Sequence, residues 1–458
     1  MGDGSRQAGP TTARGIAFEI LQRVERTSAY ANLLLDARLA RTALSPPDRA
    51  LVTHFVYGVL RWRGKLDWIL AQVIDRPLAA VESRVRDLLR LGAYQLCCLD
   101  RIPAFAAVDE TVSLTRTVGA ARSAAFVNAV LRGVARRTPF PEPSPAADPI
   151  GYWSGVGSHP AWLAKRWIAR FGPDEAGRLM TANNQIPPLT VVANPARVAP
   201  ERLARALQAA AREVIPGRVV PGAFSVVGGG APADLPGFAE GHFIPMDEAG
   251  VLPVVALDLA AGQRVLDACA GGGGKTALIA AQVGPAGTVL AVDASARAIR
   301  RLCAATARLG LSTVRAELRD ARALGAALPG AFPRVLLDAP CTGLGTLRRR
   351  PEIKWRRRPA DIARAAALQT ELLAGVAGAV APGGVLVYST CSLEPEETDA
   401  VIAGFLAAHP GFRPAEPPAA GAGGVLAALA DPATGFVRSV PHIHGMDGFF
   451  IARLARTC

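Results

Sequence analysis

Lysine is scarce in this chain: of 51 basic residues only Lys65, Lys165, Lys275 and Lys354 are lysines. In a chain so rich in Ala, Gly and Arg this is the imprint of a GC-rich genome, and it draws attention to a lysine inside a glycine loop, Lys275. Cysteine is sparse as well. Cys97, Cys98, Cys269, Cys303, Cys341, Cys391 and Cys458 make an odd set of seven without any CxxC pair, which excludes a disulfide framework and a zinc site of the usual spacing. The six histidines are scattered, and His442 with His444 alone makes no metal site, so no metal is expected. An uninterrupted apolar run of about 18 residues is missing, which argues against a membrane span. The longest candidate, Leu372 to Tyr388, is broken by Pro382-Gly383-Gly384 and reads as helix, turn and strand. The opening MGDGSRQAGP has no apolar signal core. The expected setting is therefore a reducing cytoplasm, in which thiols remain available for chemistry.

The chain has 458 residues, room for several domains of ~100–200 residues each. Half of it is apolar, ample for full cores, and the net charge is +13. Such a field favours polyanionic partners through attraction and counterion release. Charge alone does not decide for nucleic acid.

From Thr12 to Thr138 apolar residues recur at helical spacing, as in Ala17, Ile20, Leu21, Val24, then Leu51, Val52, Phe55, Val56, Val59, then Phe126, Val130, Leu131, Val134. Residues 1–140 hold 20 Lys and Arg against 12 Asp and Glu, the larger share of the excess. That is a basic helical domain, suited to RNA docking or simply a solvated bundle. Five prolines between Pro139 and Pro149 mark a stiff linker, after which a helical pattern runs from Pro160 to Asn183. Residues 186–241 mix short β-like runs, Leu189–Ala193 and Ala223–Val227, with a helix around Glu201–Ala211, a small α+β module. From Gly262 the pattern alternates: strand Arg264–Ala268, glycine loop, helix Thr276–Val283, strand Thr288–Val292. A helix capped by Ser295 follows, with Ile299, Leu302, Cys303, Thr306 and Leu309 on one face, and later the short buried strands Val335–Leu337 and Val385–Tyr388. Alternation of this kind builds a mostly parallel sheet covered on both faces, with ligands beyond the carboxyl ends of the strands.

Every chemical motif falls at such an end. The first strand runs into Asp267-Ala-Cys269-Ala270-Gly271-Gly272-Gly273-Gly274-Lys275-Thr276. A Walker A loop needs Gly where Cys269 stands, so a P-loop is excluded. A glycine turn followed by an acid about twenty residues on, here Asp293, suits an adenosine-type cofactor whose ribose hydroxyls the carboxylate accepts. A nicotinamide dinucleotide and a loop glycine-rich only for packing both stay open at this point. The fourth strand delivers Asp338-Ala339-Pro340-Cys341-Thr342-Gly343 and the fifth Ser389-Thr390-Cys391-Ser392. A lone cysteine is usually a small buried hydrophobe. Two on neighbouring strand ends bring two thiols to one rim. A thiol has a use there: carbon 5 of cytosine is a poor nucleophile until a thiolate adds at carbon 6, a covalent step that splits one hard reaction into two. Glu394, Glu396 and Glu397 suit the N-terminal dipole of the next helix and need no catalytic role.

With these residues assembled, the chain resembles the bacterial ribosomal-RNA cytosine carbon-5 methyltransferases of the Fmu/Sun (RsmB) type over nearly its whole length. Asp267–Thr276 is similar to that family's cofactor loop, Asp338–Gly343 and Ser389–Ser392 to its two cysteine motifs, and Gly445-Met446-Asp447-Gly448-Phe449-Phe450 to its closing strand. Asn32-Leu33-Leu34-Leu35 and Asn128 to Arg132 resemble its NusB-like RNA-binding domain. The resemblance implies a multidomain chain: a NusB-like all-α domain (1–139), a proline-rich linker with helices (140–185), a small α+β, RRM-like module (186–245) and a C-terminal α/β Rossmann-like methyltransferase domain (246–458). It implies S-adenosyl-L-methionine as cofactor, held by Cys269, Ala270, Gly271, Gly272, Gly273, Gly274, Lys275, Asp293 at the ribose, Asp320 at the adenine side, and Asp338. Cys391 is then the nucleophile and Cys341 the helper in product release, with Lys275 and Asp338 facing the base. The implied substrate is small-subunit (16S) rRNA, and the implied state a monomer. Two departures stand out: Gly271-Gly272 replaces the family's Ala-Pro, which loosens the free loop by roughly 0.5–1 kcal/mol per glycine, and Met246-Asp-Glu-Ala-Gly250 replaces Gln-Asp-Glu-Ala-Ser.

Arg348-Arg-Arg-Pro-Glu-Ile-Lys354-Trp355-Arg-Arg-Arg358 packs seven positive charges and one negative into eleven residues. A charge run is usually a solvated face. Close after Cys341, this one is expected to hold RNA phosphates, with Trp355 stacking on an unpaired base or anchoring the loop. A non-catalytic RNA-binding factor, a nicotinamide oxidoreductase and a DNA cytosine methyltransferase are the rival readings.

Overall fold

A computed structural model describes residues 11–418 and 423–457. The opening MGDGSRQAGP and Cys458 lie outside the described residues. The chain divides into two units: one ends at Gln185 and also includes Leu347–Arg356, and the other comprises Ile186–Thr346 and Arg357 onward.

The first unit is helical. Thr12 Oγ1 accepts from Gly15 N at 3.2 Å and starts the helix Ala13–Arg26, while Ser45 caps the helix Pro46–Ala71. Their periodic faces, Ile16, Ala17, Ile20, Leu21 and Val24 on one and Val52, Phe55, Val56 and Val59 on the other, are buried in one core. Each such Val, Ile or Phe contributes about 1.5–3 kcal/mol by leaving water. In the helix Ala124–Arg137, Val127, Leu131 and Val134 are fully buried, while Phe126 lies half-buried under the Arg76 guanidinium, 4.7 Å from its ring. The helical pattern of Pro160 to Asn183 is two helices, Ala161–Phe171 and Pro173–Asn183, separated at Gly172 with φ +78°.

The second unit opens with a four-stranded antiparallel sheet, β1 (Leu189–Ala193), β2 (Glu213–Pro216), β3 (Ala223–Val227) and β4 (Phe243–Pro245), in the order β2-β3-β1-β4. The larger sheet contains β5 (Arg264–Asp267), β6 (Thr288–Asp293), β7 (Val314–Leu318), β8 (Phe332–Asp338), β9 (Val380–Thr390), β10 (Phe412–Pro414), β11 (Val437–Ser439) and β12 (Phe449–Arg456). Its order is β10-β12-β9-β8-β5-β6-β7, with β11 paired to β12. Strands β5 to β9 run parallel, and β12 closes against β9 antiparallel. Successive residues of these strands face opposite layers. Val265, Leu336, Val387 and Ile451 meet the helices Glu248–Ala256 and Gly274–Val283, whereas Leu266, Leu337, Leu386 and Phe450 meet Pro359–Ala377 and Asp399–Ala408. Burial on both faces explains the near-continuous apolar runs of β8 and β9. The chain goes from β5 out to β7 and then returns to β8 on the other side of β5. That reversal opens a crevice at the carboxyl ends of β5 and β8.

The Ser295-capped helix is Ala296–Leu309, with Leu302, Thr306 and Leu309 buried. Cys303 lies off that face and is exposed, contrary to expectation. Among the described residues no helix is long and apolar enough to cross a membrane.

Candidate active site

At the end of β5 the chain turns through Asp267 to Gly273 into the helix Gly274–Val283. Gly273 takes φ +85° against Leu302, and Gly271 takes φ +57° with open space where a Cβ would stand. Only glycine enters that region without strain, so Gly271, the departure from the Ala-Pro pattern, uses its freedom in the folded loop. Asp293, ending β6, accepts from Gly271 N at 2.9 Å and from Ser295 N at 2.7 Å, which fixes the loop and the next helix start to one carboxylate.

Inside the crevice a cavity of about 190 Å³ is lined by Met246, Asp267, Cys269, Ala270, Gly271, Gly272, Gly274, Lys275 and Asp338. Asp267 accepts from Thr276 Oγ1 at 2.6 Å, but its other oxygen is buried without a hydrogen-bond partner. Burial, reinforced by the charges of Asp338 and Asp293, pushes its carboxyl up to about 7 against the opposing effects of Thr276 and Lys275. Burial also pushes the Cys269 thiol up, with the surrounding aspartates adding to it. Two acids and one already paired ammonium make this a site for a ligand with positive charge, and a poor one for a pyrophosphate. An orphaned acceptor and space over two glycines fit S-adenosylmethionine better than a nicotinamide dinucleotide.

Lys275 Nζ donates to Asp338 Oδ2 at 2.6 Å, and Ser389 Oγ donates to Asp338 Oδ1 at 2.8 Å. Burial opposes the Lys275 ammonium, but Asp338, with Cys391 and Asp267, outweighs it and raises its pKa. The ammonium also lies 5.2 Å from the centre of the Phe449 ring. Strands β8 and β9 pair Asp338 with Ser389, so the residues that follow them diverge from one point. Cys341 and Cys391 come together there, with their sulfurs 3.3 Å apart. The bond to the Cys391 sulfur, then burial, then the negative charges of Cys391, Glu397 and Asp338 raise the Cys341 thiol well above its ordinary pKa. The two sulfurs therefore share one hydrogen-bond contact in which either can donate.

Of the expected site residues, Gly273, Asp293, Asp320, Cys341 and Cys391 do not line the cavity. Asp293 is engaged by backbone amides, and Asp320 caps the turn Ala321–Ala323 and pairs with Arg322 at 2.7 Å, largely in solvent. The basic run also departs from expectation. Leu347–Arg356 belongs to the first unit. Lys354 is fully buried, donating to Arg61 O, Ser158 O and Asn184 Oδ1 at 2.8–2.9 Å, and Trp355 Nε1 donates to Leu60 O at 2.6 Å. Arg356 is held by the carbonyls of Val24, Ser28 and Ala29. Lys354 and Arg356 thus serve packing, and the Trp355 indole anchors the segment. Arg357, back in the second unit, donates to Thr342 O at 2.8 Å and steadies the Cys341 loop.

Sequence reasoning missed Ser389, Arg357 and Glu397. Ser389 was within reach, since it sits beside the cysteine motif. Arg357 and Glu397 were hidden in charge clusters that look like solvent-facing runs.

The family model described as 16S rRNA methyltransferase RsmB/F matches residues 254–455, the NusB family model residues 11–136, and the RsmF/B-like ferredoxin-like domain model residues 159–230. The Bacillus subtilis protein named Probable ribosomal RNA small subunit methyltransferase B is 35% identical over 452 residues, covering 97% of this chain and 99% of its own. Ribosomal RNA small subunit methyltransferase B of Klebsiella pneumoniae is 33% identical over 454 residues, covering 97% and 98%. The crystal structure of PH0851 superposes with a TM-score of 0.83 over 98% of this chain and 99% of that one, at 24% identity, which shows the shared fold.

Proposed function

The chain belongs to the RsmB/F family of 16S rRNA methyltransferases, and from its site we propose that it methylates carbon 5 of a cytosine through a transient bond between Cys391 and carbon 6. It is an S-adenosylmethionine-dependent rRNA methyltransferase with a NusB-like N-terminal domain, a ferredoxin-like module and an α/β catalytic domain. The finer reading takes small-subunit (16S) rRNA as substrate and has the enzyme act as a cytoplasmic monomer without a metal. Its domains are divided at 1–139, 140–185, 186–245 and 246–458.

The observation that carries the reading is the contact of Cys341 with Cys391 beside the Lys275–Asp338 pair. Bound S-adenosylmethionine supplies an electrophilic methyl group on a sulfonium, and Cys269 to Lys275, Asp293, Asp320 and Asp338 are the residues proposed to hold it. Cys391 sulfur adds to carbon 6, which breaks the ring's aromaticity and makes carbon 5 nucleophilic. Lys275 and Asp338 steer the edge of a base that has left its stack. Before addition the Cys391 sulfur lies 3.3 Å from the Cys341 sulfur. Once that sulfur is committed to a carbon–sulfur bond, Cys341 releases its own proton to solvent, and the resulting thiolate takes the carbon 5 proton. Loss of that proton re-forms the double bond and expels Cys391.

Exchange of Cys391 for Ala is expected to abolish transfer of labelled methyl to rRNA, and retained turnover would remove it as nucleophile. Exchange of Cys341 for Ala is expected to leave an RNA–protein adduct on denaturing gels. Absence of any adduct there, with turnover intact, would argue against its role in release.

A further inference from the structure

Glu397 is fully buried in the turn Pro395–Glu397 and accepts four hydrogen bonds from three other parts of the second unit. Thr342 gives two, its N–H at 2.8 Å and its hydroxyl; Ser392 Oγ gives one at 2.6 Å; Gln369 Nε2 gives one at 3.0 Å. Thr342 directly follows Cys341, and Ser392 directly follows Cys391. Gln369 also donates to Pro340 O at 3.0 Å, on the other side of Cys341, and Tyr388 OH donates to Glu397 O at 2.8 Å, which fixes the turn itself against β9. One carboxylate therefore bonds the residue after each thiol. The loops carrying the thiols belong to different strands, and their only sequence-encoded relation is the pairing of β8 with β9, which stops at Asp338 and Ser389. Beyond that point the backbones are joined by the bonds from Ala339 N to Ser389 O at 2.8 Å and from Gly345 N to Cys391 O at 2.9 Å.

We propose that Glu397 is a positioning residue that clamps the Cys341 and Cys391 loops together, so that the two sulfurs stand in contact before RNA arrives. This rests on reading those cysteines as the reacting pair. A charged acceptor is suited to the task because hydrogen bonds to an ionised group are shorter and stronger than neutral ones. Each of its oxygens collects two donors, Oε1 both hydroxyls and Oε2 both N–H groups. The arrangement distinguishes two substitutions. Glu397→Ala removes the clamp entirely. Glu397→Gln keeps it, since a glutamine carbonyl can accept from the two N–H groups while its amide donates to the two hydroxyls, which rotate to accept.

The test reads thiol proximity without reference to activity. Diamide joins two neighbouring thiols into a disulfide: the cysteines give up two protons and two electrons, and the diamide N=N bond takes them up to become a hydrazine. The rate of Cys341–Cys391 closure is followed by mass spectrometry of the linked peptides in the full-length protein. Alongside it run kcat and the KM for S-adenosylmethionine. In Glu397→Ala closure and kcat are both expected to fall about 30-fold or more, the order of loss that small misplacement of reacting groups brings, with KM nearly unchanged. Glu397→Gln is expected to recover most of both. Ser392→Ala, which removes one donor and leaves the core filled, is expected to slow both by about 5-fold, and it decides the matter if Glu397→Ala does not fold. Closure and kcat at wild-type values in Ser392→Ala and Glu397→Ala would overturn the proposal. With Cys391→Ala inert in the same assay, that result would sink the clamp alone and leave the nucleophile standing.

Discussion

Asp267 shows what burial does to one carboxyl group. Its folded-state value of about 7 lies above its ordinary 3.8, so between the two the folded chain holds a proton that the unfolded chain has released. The sign follows by linkage: this contribution to stability is complete below about pH 4 and is lost as pH rises through about 7. Asp267→Asn removes the titration. In denaturant unfolding the variant should gain on the wild type as pH goes from about 4 to above 7, by up to roughly 4 kcal/mol. A constant difference across that window would show that Asp267 does not carry the proton. Nothing in the sequence marks this residue as different from Asp293 or Asp338. All three end strands, and only the surroundings of each side chain make one of them an acid near neutrality and another the partner of Lys275.

At the scale of elements, periodicity was a reliable guide wherever one face of a helix or both faces of a strand meet a core. The helices with Ile20 and Phe55 and the strands β5, β6, β8 and β9 stand close to where the pattern predicts them. The run Arg348–Arg358 is the opposite case. Seven cations in eleven residues look like a solvated surface, yet Lys354 is buried. Burial, with the Arg61 charge nearby, depresses its pKa far below the lysine range. Its three hydrogen bonds to oxygens around residues 61, 158 and 184 make a fixed junction between parts of the first unit that are distant in sequence. Lys354→Met leaves those oxygens without donors, and a buried unsatisfied acceptor costs about 1–3 kcal/mol. The full chain is expected to lose about 3 kcal/mol, read as a lowered unfolding transition assigned to the helical unit by hydrogen exchange. An unchanged transition would mean that water replaces the amine. No local pattern announces such a lysine, because its acceptors are main-chain carbonyls and one amide that the fold alone assembles.

For the molecule as a whole the net charge of +13 sets the terms of RNA binding. With contacts to about five phosphates, affinity for rRNA is expected to fall about 100-fold between about 50 and about 200 mM salt. Filter binding across that range checks it, and an affinity indifferent to salt would shift recognition to uncharged contacts. The sequence by itself determined the class of fold and the family, and it put a glycine loop and two cysteine motifs at strand ends, because each depends on residue types at short fixed spacings that a strand or helix end reads locally. Only the tertiary structure decided which carboxylates stand inside the cavity and that Lys354, within the basic run, is buried. It alone brought the sulfurs of residues fifty positions apart to 3.3 Å, with Glu397 bonded to the neighbour of each. These are matters of burial and of contact between remote segments. Their energies depend on what surrounds a group, and the chain supplies those surroundings only once it is folded.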